Sequence, residues 1–384
     1  MVEWKKLGEI VKRNKGIPIT AGQMSELNSP NGNVRVFAAG QTIADIDEDQ
    51  LPQGCAYTKP SVVVKSRGYI DFEFYDKPFT HKSEMWSYSF EDINLCKYVY
   101  YYLTTKTEEF RKKAKTNSVK LPQLCVADTD KYQIPIPSLS EQKRIVGILD
   151  TFTDSIENLK KQIEQRRKQY AYLIDNFFGG SLNEMKKKAE NGTLQVEPLS
   201  AHGTFTRGRR FVRTDVVEEG QPCIHYGDMY TYYGLYADKA NTHLPYDFPK
   251  KMRYAKKGDV VIVGAGENNE DIAVGLVWFG DEPAAVHDAC YIYESDFEPM
   301  YLSYFLRSSI YHLQIKSHVV RGKICSISSD GIGKALIPIF PMEKQKEIVS
   351  KLLPFESLLK NLEAQLAQRQ KQYEYYRNQL LTFE

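Results

Sequence analysis

Two stretches in the second half of the chain carry side chains suited to binding a polyanion. The stretch FTRGRRFVR places four arginines within seven residues, and IHYGDMYTYYGLY supplies five tyrosines within eleven. Arginine serves phosphate and guanine contacts, and tyrosine hydroxyls serve phosphates and base edges. The alternative for any one of them is a solvated surface charge or a core tyrosine. The candidates for nucleic-acid contact are Arg207, Arg209, Arg210, Tyr226, Tyr230 and Tyr232.

Basic side chains also gather around short motifs elsewhere. Lys65 and Arg67 lie beside the glycine turn of SVVVKSRG, and FTHKSE contributes a histidine and a lysine. A lysine precedes each of two repeated segments described below. These further candidates for DNA contact are His81, Lys82, Lys120, Arg321 and Lys323.

Motifs for bond-making chemistry are missing from the sequence. The run DVVIVGAG invites a dinucleotide-binding interpretation, but Asn269 stands where the third glycine belongs. Only about seven residues separate GAG from the next strand-like run, AVGLVWF, so no helix fits between them. We find no GxxxxGK[ST], [DN]PP[YF], GxSxG or HExxH motif, and the ExK at Glu184–Lys186 lies in a charged segment rather than a strand. The sequence therefore predicts neither a catalytic site nor a metal site.

Compartment and class follow from composition. The six cysteines are scattered, without a CxxC pair or a Cys/His cluster, which argues against a structural zinc site and a disulfide framework. No run of 18 apolar residues predicts a membrane span, and the start MVEWKKLGEI does not resemble a secretion signal. We expect a globular protein of the cytoplasm.

The elements that must position these side chains are revealed by an internal repeat. With an offset of 203 residues, IPIPSLSEQKRIVGILDTF from Ile134 matches IPIFPMEKQKEIVSKLLPF from Ile337. About 18 of 44 positions are identical, without a gap. Each copy predicts a long helix, and Ser138 with Glu141 forms a capping-box pattern at the start of the first. Residues 141–178 would span roughly 57 Å.

Apolar side chains in both helices recur with steps of four and three, which is typical of a coiled coil. An arginine interrupts the stripe at equivalent places, Arg166 and Arg369, and Pro354 is expected to kink the second helix. The alternative is two amphipathic helices packed on separate cores. The predicted seam consists of Ile145, Leu149, Phe152, Ile156, Leu159, Ile163, Ile348, Leu352, Phe355, Leu359, Leu362 and Leu366.

The layout predicts an α+β protein with two globular α/β domains joined by two long helices. These helices would form an antiparallel intramolecular coiled coil with pseudo-two-fold symmetry. Each globular part mixes strand-like runs with helical pieces, which favours a curved or barrel-like sheet. The predicted boundaries are 1–137 for the first domain, 138–180 for the first helix, 181–193 for a charged linker, 194–340 for the second domain and 341–384 for the second helix.

Charge is nearly balanced overall, at +2, which is unusual for a nucleic-acid binder. Residues 194–342 alone carry −3, from 15 basic and 18 acidic side chains. Any DNA binding must therefore depend on local basic patches rather than on the net charge.

The chain resembles the specificity (S) subunit of Type I restriction–modification enzymes over essentially its whole length. The resemblance lies in the helix starts IPIPSLSEQKRIV and IPIFPMEKQKEIV, in the domain openings WKKLGEI and VEPLSAHGTF, and in IHYGDM. It implies two target-recognition domains, each reading one part of a split DNA site. It also implies two methylation (M) subunits and restriction (R) subunits as partners. S-adenosylmethionine, ATP and magnesium would belong to those partners, and this chain would be non-catalytic.

The residues themselves favour the same function. The helical copies stayed alike, as expected of elements that dock two identical subunits, whereas the globular copies diverged, as expected of readers of different half-sites. A coiled-coil adaptor that joins two protein-binding domains and never touches DNA is the alternative. The near-neutral charge favours the adaptor, and the arginine-rich loop disfavours it.

Overall fold

A computed structural model describes residues 2–117, 120–266 and 272–383, so that Asn269 of the glycine motif lies outside the described residues. The chain divides into two compact units. Unit 1 comprises Met1–Lys160 together with Ala364–Glu384, and unit 2 comprises Lys161–Glu363. Each unit thus contains one globular part, the first half of one long helix and the last part of the other.

Unit 1 is a mixed α/β structure. Its strands are β1 (Glu3–Lys6), β2 (Arg13–Lys15), β3 (Val34–Phe37), β4 (Ile43–Ile46), β5 (Ser61–Lys65), β6 (Asp71–Tyr75), β7 (Phe79–His81), β8 (Trp86–Ser89) and β9 (Gln133–Ile136). Its helices are α1 (Leu7–Ile10), α2 (Ala21–Leu27), α3 (Ile93–Thr105), α4 (Thr107–Asn117) and α5 (Val126–Asp130), with a 3₁₀ turn at Glu48–Gln50.

The long helix α6 (Leu139–Phe177) and the short helix α7 (Leu182–Glu190) follow. Unit 2 then contains the strands β10 (Val196–Pro198), β11 (Gly203–Arg207), β12 (Gln221–Ile224), β13 (Tyr236–Ala237), β14 (Thr242–Leu244), β15 (Tyr254–Ala255), β16 (Val260–Val263), β17 (Ala265–Gly266), β18 (Gly275–Trp278), β19 (Ala284–Val286), β20 (Cys290–Ser295), β21 (Cys325–Ser326) and β22 (Leu336–Pro338). Its helices are α8 (Asp228–Thr231), α9 (Pro299–Phe305), α10 (Ser309–Ile315), α11 (Ser329–Gly333) and the long α12 (Met342–Leu380), and 3₁₀ turns occupy Leu199–Ala201, Arg213–Asp215 and Lys316–His318.

The two units have related sheet orders, with one more strand in each sheet of unit 2. The main sheet has the order β2-β8-β5-β6 in unit 1 and β11-β20-β16-β18-β13 in unit 2. A second sheet has the order β4-β3-β7 in unit 1 and β14-β12-β19-β15 in unit 2, and each contains one parallel pair, β3 with β7 and β12 with β19. Most strands of each unit therefore lie in two sheets, and the pairs β1-β9, β10-β22 and β17-β21 form separate two-stranded sheets.

A β-branched strand lies at the centre of each main sheet because both of its faces are buried. In β5, Val62 and Val64 pack with the aromatic side chains of α3, whereas Val63 faces a separate cluster with Phe37 and Phe79. The equivalent β16 divides its side chains between two clusters in the same alternating way. The strand-like runs SVVVK and DVVIV are thus correctly predicted as strands.

The repeated segment IPI…Q is retained because it anchors the start of each long helix. The Tyr98 hydroxyl donates to the Pro135 carbonyl (2.7 Å), and the Tyr301 hydroxyl donates to the Pro338 carbonyl (2.8 Å). The buried amides of Gln142 and Gln345 donate to the carbonyls of Pro137 (2.9 Å) and Phe340 (2.8 Å). Part of the likeness between the copies is therefore structural.

The long helices pair in opposite directions within each unit. In unit 2, Arg167 forms an ion pair with Glu363 (2.6 Å), whereas the later Tyr170 stacks on the earlier Phe355 (centroids 6.4 Å apart). In unit 1, Phe152 stacks on Tyr376 (5.4 Å). All twelve predicted seam side chains are buried or half-buried. Ile145 and Leu149 pack in the unit 1 core, and Ile348 and Leu352 pack in the unit 2 core. The seam arginine Arg369 places its guanidinium over the Phe152 ring (5.6 Å), which accommodates a charge in the stripe.

The helix α12 is continuous from Met342 to Leu380 with Pro354 inside it. One detail differs from expectation. The segment predicted as a charged linker contains the helix α7, capped by Ser181 and anchored by Met185, which is fully buried in the unit 2 core. Leu182, Met185 and Ala189 recur at helical spacing in this short charged segment, and packing of Leu182 and Met185 on the unit 2 core stabilises the helix.

Candidate nucleic-acid interface

The arginine loop of unit 2 is held by main-chain hydrogen bonds at the end of β19. After β11, the Gly208 N–H donates to the Cys290 carbonyl and the Arg209 N–H to the Val286 carbonyl (both 2.9 Å). The Arg207 guanidinium donates to the Asp288 carbonyl (2.8 Å). Because the backbone is fixed in this way, Arg209 and Arg210 project from a rigid edge as exposed side chains.

Glycine is required at position 208 by close backbone approach. A Cβ added there would lie 2.2 Å from the His287 carbonyl oxygen, far inside van der Waals contact. Gly16 in unit 1 shows the same feature, with a distance of 2.1 Å to the Lys82 carbonyl oxygen. The two glycines therefore mark equivalent positions.

A cluster of rings supports the arginine loop from beneath. Phe211, His225, Tyr226 and His287 pack together, with the two imidazole centroids 4.7 Å apart. Burial lowers the pKa of both histidines; the neighbouring His287 and Arg213 lower that of His225 further, and Arg210 does the same for His287. These histidines therefore favour the neutral form, and the positive charge of the loop comes from its arginines.

The predicted tyrosines have different surroundings. Tyr226 is half-buried in this ring cluster, and Tyr232 is 62% exposed. The half-buried Tyr230 packs on Gly266, where an added Cβ would lie 2.1 Å from its hydroxyl oxygen.

A second basic loop of unit 2 is joined to the first through the sheet edge. The N–H groups of Gly264 and Ala265 both donate to the Ala289 carbonyl (2.7 and 3.0 Å). The strand β17 then pairs with β21, and Val320 exchanges two main-chain hydrogen bonds with Ser326. We call the exposed basic residues along this edge, together with Tyr226 and Tyr230, the second basic surface: Arg207, Arg209, Arg210, Arg321 and Lys323.

Unit 1 builds the same edge from different side chains. The Ile17 N–H donates to the His81 carbonyl (2.8 Å), as Arg209 does to Val286 in unit 2. The main chains of Arg67 and Gln123 form an isolated antiparallel β-bridge, and the Gly68 N–H donates to the Pro122 carbonyl (2.8 Å). The first basic surface consists of Lys15, Arg67, Lys82 and Lys120.

Two predicted contacts in unit 1 are wrong. His81 is fully buried, with its Nε2 3.1 Å from the Ser87 hydroxyl, and burial lowers its pKa to about 4. Lys65 is nearly buried and pairs with Glu73 (2.6 Å) across β5 and β6. Both lie on strands whose side chains are enclosed by the fold, so neither can reach DNA. Lys82 is half-buried and pairs with Glu84 (3.2 Å), whereas Arg67 and Lys120 are exposed.

The sequence did not predict two exposed basic residues of these edges, Lys15 in unit 1 and Arg253 in unit 2. The exposed Lys15 precedes Gly16 as Arg207 precedes Gly208. Arg253 donates from its guanidinium to the Arg207 carbonyl. The dipeptides Lys-Gly and Arg-Gly were the available signal for Lys15, whereas nothing in the sequence linked Arg253 to a residue 46 positions away.

Other kinds of site were searched for in the same residues. Within 2–117, 120–266 and 272–383, no three His, Cys, Asp or Glu side chains converge as metal ligands would. No helix of this described part is long and apolar enough to cross a membrane.

Comparison with known proteins adds an independent line of evidence. Residues 1–166 match the family described as the Type I restriction modification DNA specificity domain. The specificity subunit of the type I restriction enzyme EcoR124I/EcoR124II of Escherichia coli is 25% identical over all of this chain and 94% of its own length. A protein of Mycoplasma pneumoniae, named as the C-terminus of a type I specificity subunit, is 30% identical over 35% of this chain and 90% of its own length. The crystal structure of a type I S subunit from M. genitalium aligns with a TM-score of 0.63 at 17% identity, covering 100% of this chain and 97% of that one.

Proposed function

Since the chain belongs to the family of type I restriction–modification specificity subunits, we propose that it is the DNA-reading subunit of such a system. The target is a two-part, asymmetric site in double-stranded DNA. The domain 1–137 reads one part and the domain 194–340 reads the other, while the helices 138–180 and 341–384 act as a spacer. The segment 181–193, which includes α7, connects the two halves.

The observation that carries this proposal is a shared framework with different side chains. Gly16 and Gly208 occupy the same place against the second sheet of each unit. The residues that follow differ, because unit 2 has the exposed Arg209 and Arg210 where unit 1 has the buried Ile17 and the exposed Pro18. Two edges with the same backbone and unlike side chains suit two DNA half-sites of unlike sequence.

The proposed partners are two methylation subunits and the restriction subunits. S-adenosylmethionine, ATP and Mg²⁺ would be bound by those partners, and this chain contributes recognition and a scaffold rather than catalysis. The compartment is the cytoplasm, where the cell's DNA is methylated.

Exchange of one domain tests the proposal. Residues 194–336 are replaced with the corresponding domain of a relative, and the methylated sites of a host carrying the chimera and its methylation subunits are sequenced. One half of the site should change and the other should persist. A matched exchange of residues 1–133 should change the opposite half. If both halves change in either chimera, or neither does in an active enzyme, the assignment of one half-site to each domain is wrong.

A further inference from the structure

Both units present a lysine followed by an apolar residue on a loop at the same place in the fold. Lys120-Leu121 in unit 1 and Lys323-Ile324 in unit 2 are related by the offset of 203 residues that also relates the long helices. The framework around them corresponds, because the Leu124 N–H donates to the Ser66 carbonyl (2.8 Å) and the Ile327 N–H to the Gly264 carbonyl (2.9 Å). We call Leu121 and Ile324 the tip residues.

The tip residues are exposed although they are apolar. Leu121 is 42% exposed and Ile324 is 62% exposed, and Val320 beside the second loop is 67% exposed. A single exposed leucine needs no explanation. Exposure of an apolar residue at equivalent positions in two domains that otherwise diverged indicates a shared contact with something outside the chain.

The charge around the tips indicates what that contact is. No aspartate or glutamate occurs from Phe110 to Ala127, a segment with five lysines and arginines. None occurs from Pro299 to Ser329 either, where there are four, although residues 194–342 are acidic overall. In unit 1, Arg111 pairs with Glu108 (2.5 Å) and Lys113 with Asp128 (3.1 Å), so the relevant charges at the two tips are those of the exposed Lys120 and Lys323. Lysine is depleted in protein–protein interfaces, whereas an exposed lysine suits the DNA backbone.

We propose that the loops 120–124 and 323–327 are equivalent DNA-anchoring elements, distinct from the diverged glycine loops that read sequence. Each lysine contacts a phosphate, and each tip residue packs against the adjacent sugar or base in van der Waals contact. Because both loops carry the same chemistry, they hold both half-sites in the same way and contribute affinity rather than discrimination. This inference depends on the proposed function, since it assumes that the chain binds DNA.

The test uses the full chain assembled with its methylation subunits. The double variants Lys120→Ala/Leu121→Ala and Lys323→Ala/Ile324→Ala are compared with the exchanges Leu121→Ile and Ile324→Leu, in which each tip takes the residue of the other. Binding to a cognate and to an unrelated duplex is measured over a range of salt concentrations. Each alanine variant should lose about tenfold or more in affinity by the same factor on both duplexes, with the salt slope shallower by roughly one. The exchanges should bind as the unaltered protein does, and the methylated sequence should stay the same in all variants.

Three outcomes would overturn the inference while leaving the proposed function in place. Unchanged affinity of the alanine variants would show that the loops do not touch DNA. A changed base preference in one half-site would make the tip a sequence reader. Failure of the alanine variants to assemble with the methylation subunits in the absence of DNA, with unchanged melting temperature, would assign the loops to a protein partner. If the unaltered complex itself failed to prefer its cognate duplex, the proposed function would fail instead.

Discussion

At the scale of single residues, close contact between Gly208 and the His287 carbonyl holds the backbone that carries Arg209 and Arg210. The Lys82 and His287 carbonyl oxygens leave no room for a Cβ at Gly16 and Gly208. In unit 2 the next two side chains, Arg209 and Arg210, are exposed, whereas in unit 1 Ile17 is buried. Of the rings beneath the two arginines, Phe211, His225 and His287 are buried and Tyr226 is half-buried. Charge at the surface and apolar support below form a preorganised contact for a polyanion.

Removing two of these charges should weaken DNA binding in a salt-dependent way. If Arg209 and Arg210 both contact phosphates, Arg209→Ala/Arg210→Ala should lower affinity similarly for all sequences and flatten the salt slope by roughly two. The matched control is Lys186→Ala/Lys187→Ala, which removes two exposed charges from α7. Fluorescence anisotropy of a labelled duplex at four salt concentrations measures both slopes. A loss confined to one base position, costing about 1–3 kcal/mol, would instead identify a base-reading arginine.

Acid should destabilise unit 1 through His81. Burial lowers the pKa of this imidazole to about 4 in the folded chain, against an ordinary value of 6.5. The unfolded chain therefore takes up a proton first as pH falls, so the stability that is complete above pH 6.5 declines toward pH 4. Between pH 7 and pH 5 the loss should be about 2 kcal/mol in the free energy of unfolding.

Urea unfolding of the full chain and of His81→Gln at pH 7 and pH 5 checks this expectation. His225 and His287 also have lowered pKa values and contribute to both proteins equally. The midpoint should therefore fall less between the two pH values in the variant. An equal fall in both proteins would mean that His81 does not carry the effect.

At the scale of elements, each unit is completed by the end of a long helix. The last residues of α12 and its C-terminal extension pack into unit 1, where Leu381 is buried and Phe383 contacts Tyr98 (centroids 6.5 Å apart). In unit 2, the equivalent Phe178 follows α6 and contacts Tyr301 (5.0 Å). Hydrophobic packing of the helix ends thus contributes to the stability of both cores.

The helix end should therefore be needed for the stability of unit 1. Leu381→Ala should cost about 2–5 kcal/mol because it leaves a cavity in the unit 1 core. Tyr375→Ala, at a site 58% exposed on the same helix, should cost little and serves as the control. Hydrogen exchange of the variant and the unaltered protein resolves the effect by region, and Leu381→Ala should accelerate exchange more in α3 than in α9. An equal acceleration in both helices would contradict a local role for Leu381.

At the scale of the whole molecule, each long helix begins in one unit and ends in the other. Under the proposed function, helix length then determines how far apart the half-sites can lie. Arg167 and Glu363 lie next to each other near the positions where the chain passes between units. Insertions close to this pair alter helix length without altering either globular part.

A heptad inserted after Leu159 and another after Leu362 should keep the seam in register. Each adds roughly 10 Å at 1.5 Å per residue, so the spacer between half-sites should grow by up to about three base pairs at 3.4 Å each. Two residues inserted at each place should rotate the seam out of register and lower the melting temperature. Sequencing of methylated sites measures the spacing, and an unchanged spacing in a folded, active enzyme would contradict a spacer role.

Local patterns in the sequence were sufficient for the family, the mixed α/β class and the two long helices. Apolar residues recur every three or four positions from Ile145 to Ile163 and again from Ile348 to Leu366, and helix geometry places such residues on one face. The strands SVVVK and DVVIV could also be predicted, because a run of β-branched residues suits a strand buried on both faces. The comparisons confirm the family that the repeated helix starts indicated.

Only the tertiary structure decided which polar residues are available to a partner. His81 and Lys65 have the same residue types as surface contacts, yet neighbouring strands enclose one and Glu73 neutralises the other. The equivalence of Gly16 with Gly208 was hidden because the side chains around them diverged while the main-chain hydrogen bonds were kept. Hydrogen bonds between strands that are distant in sequence produce no periodic pattern of residue types. The similarity between the two edges, one in each unit, can therefore be recognised only in the tertiary structure.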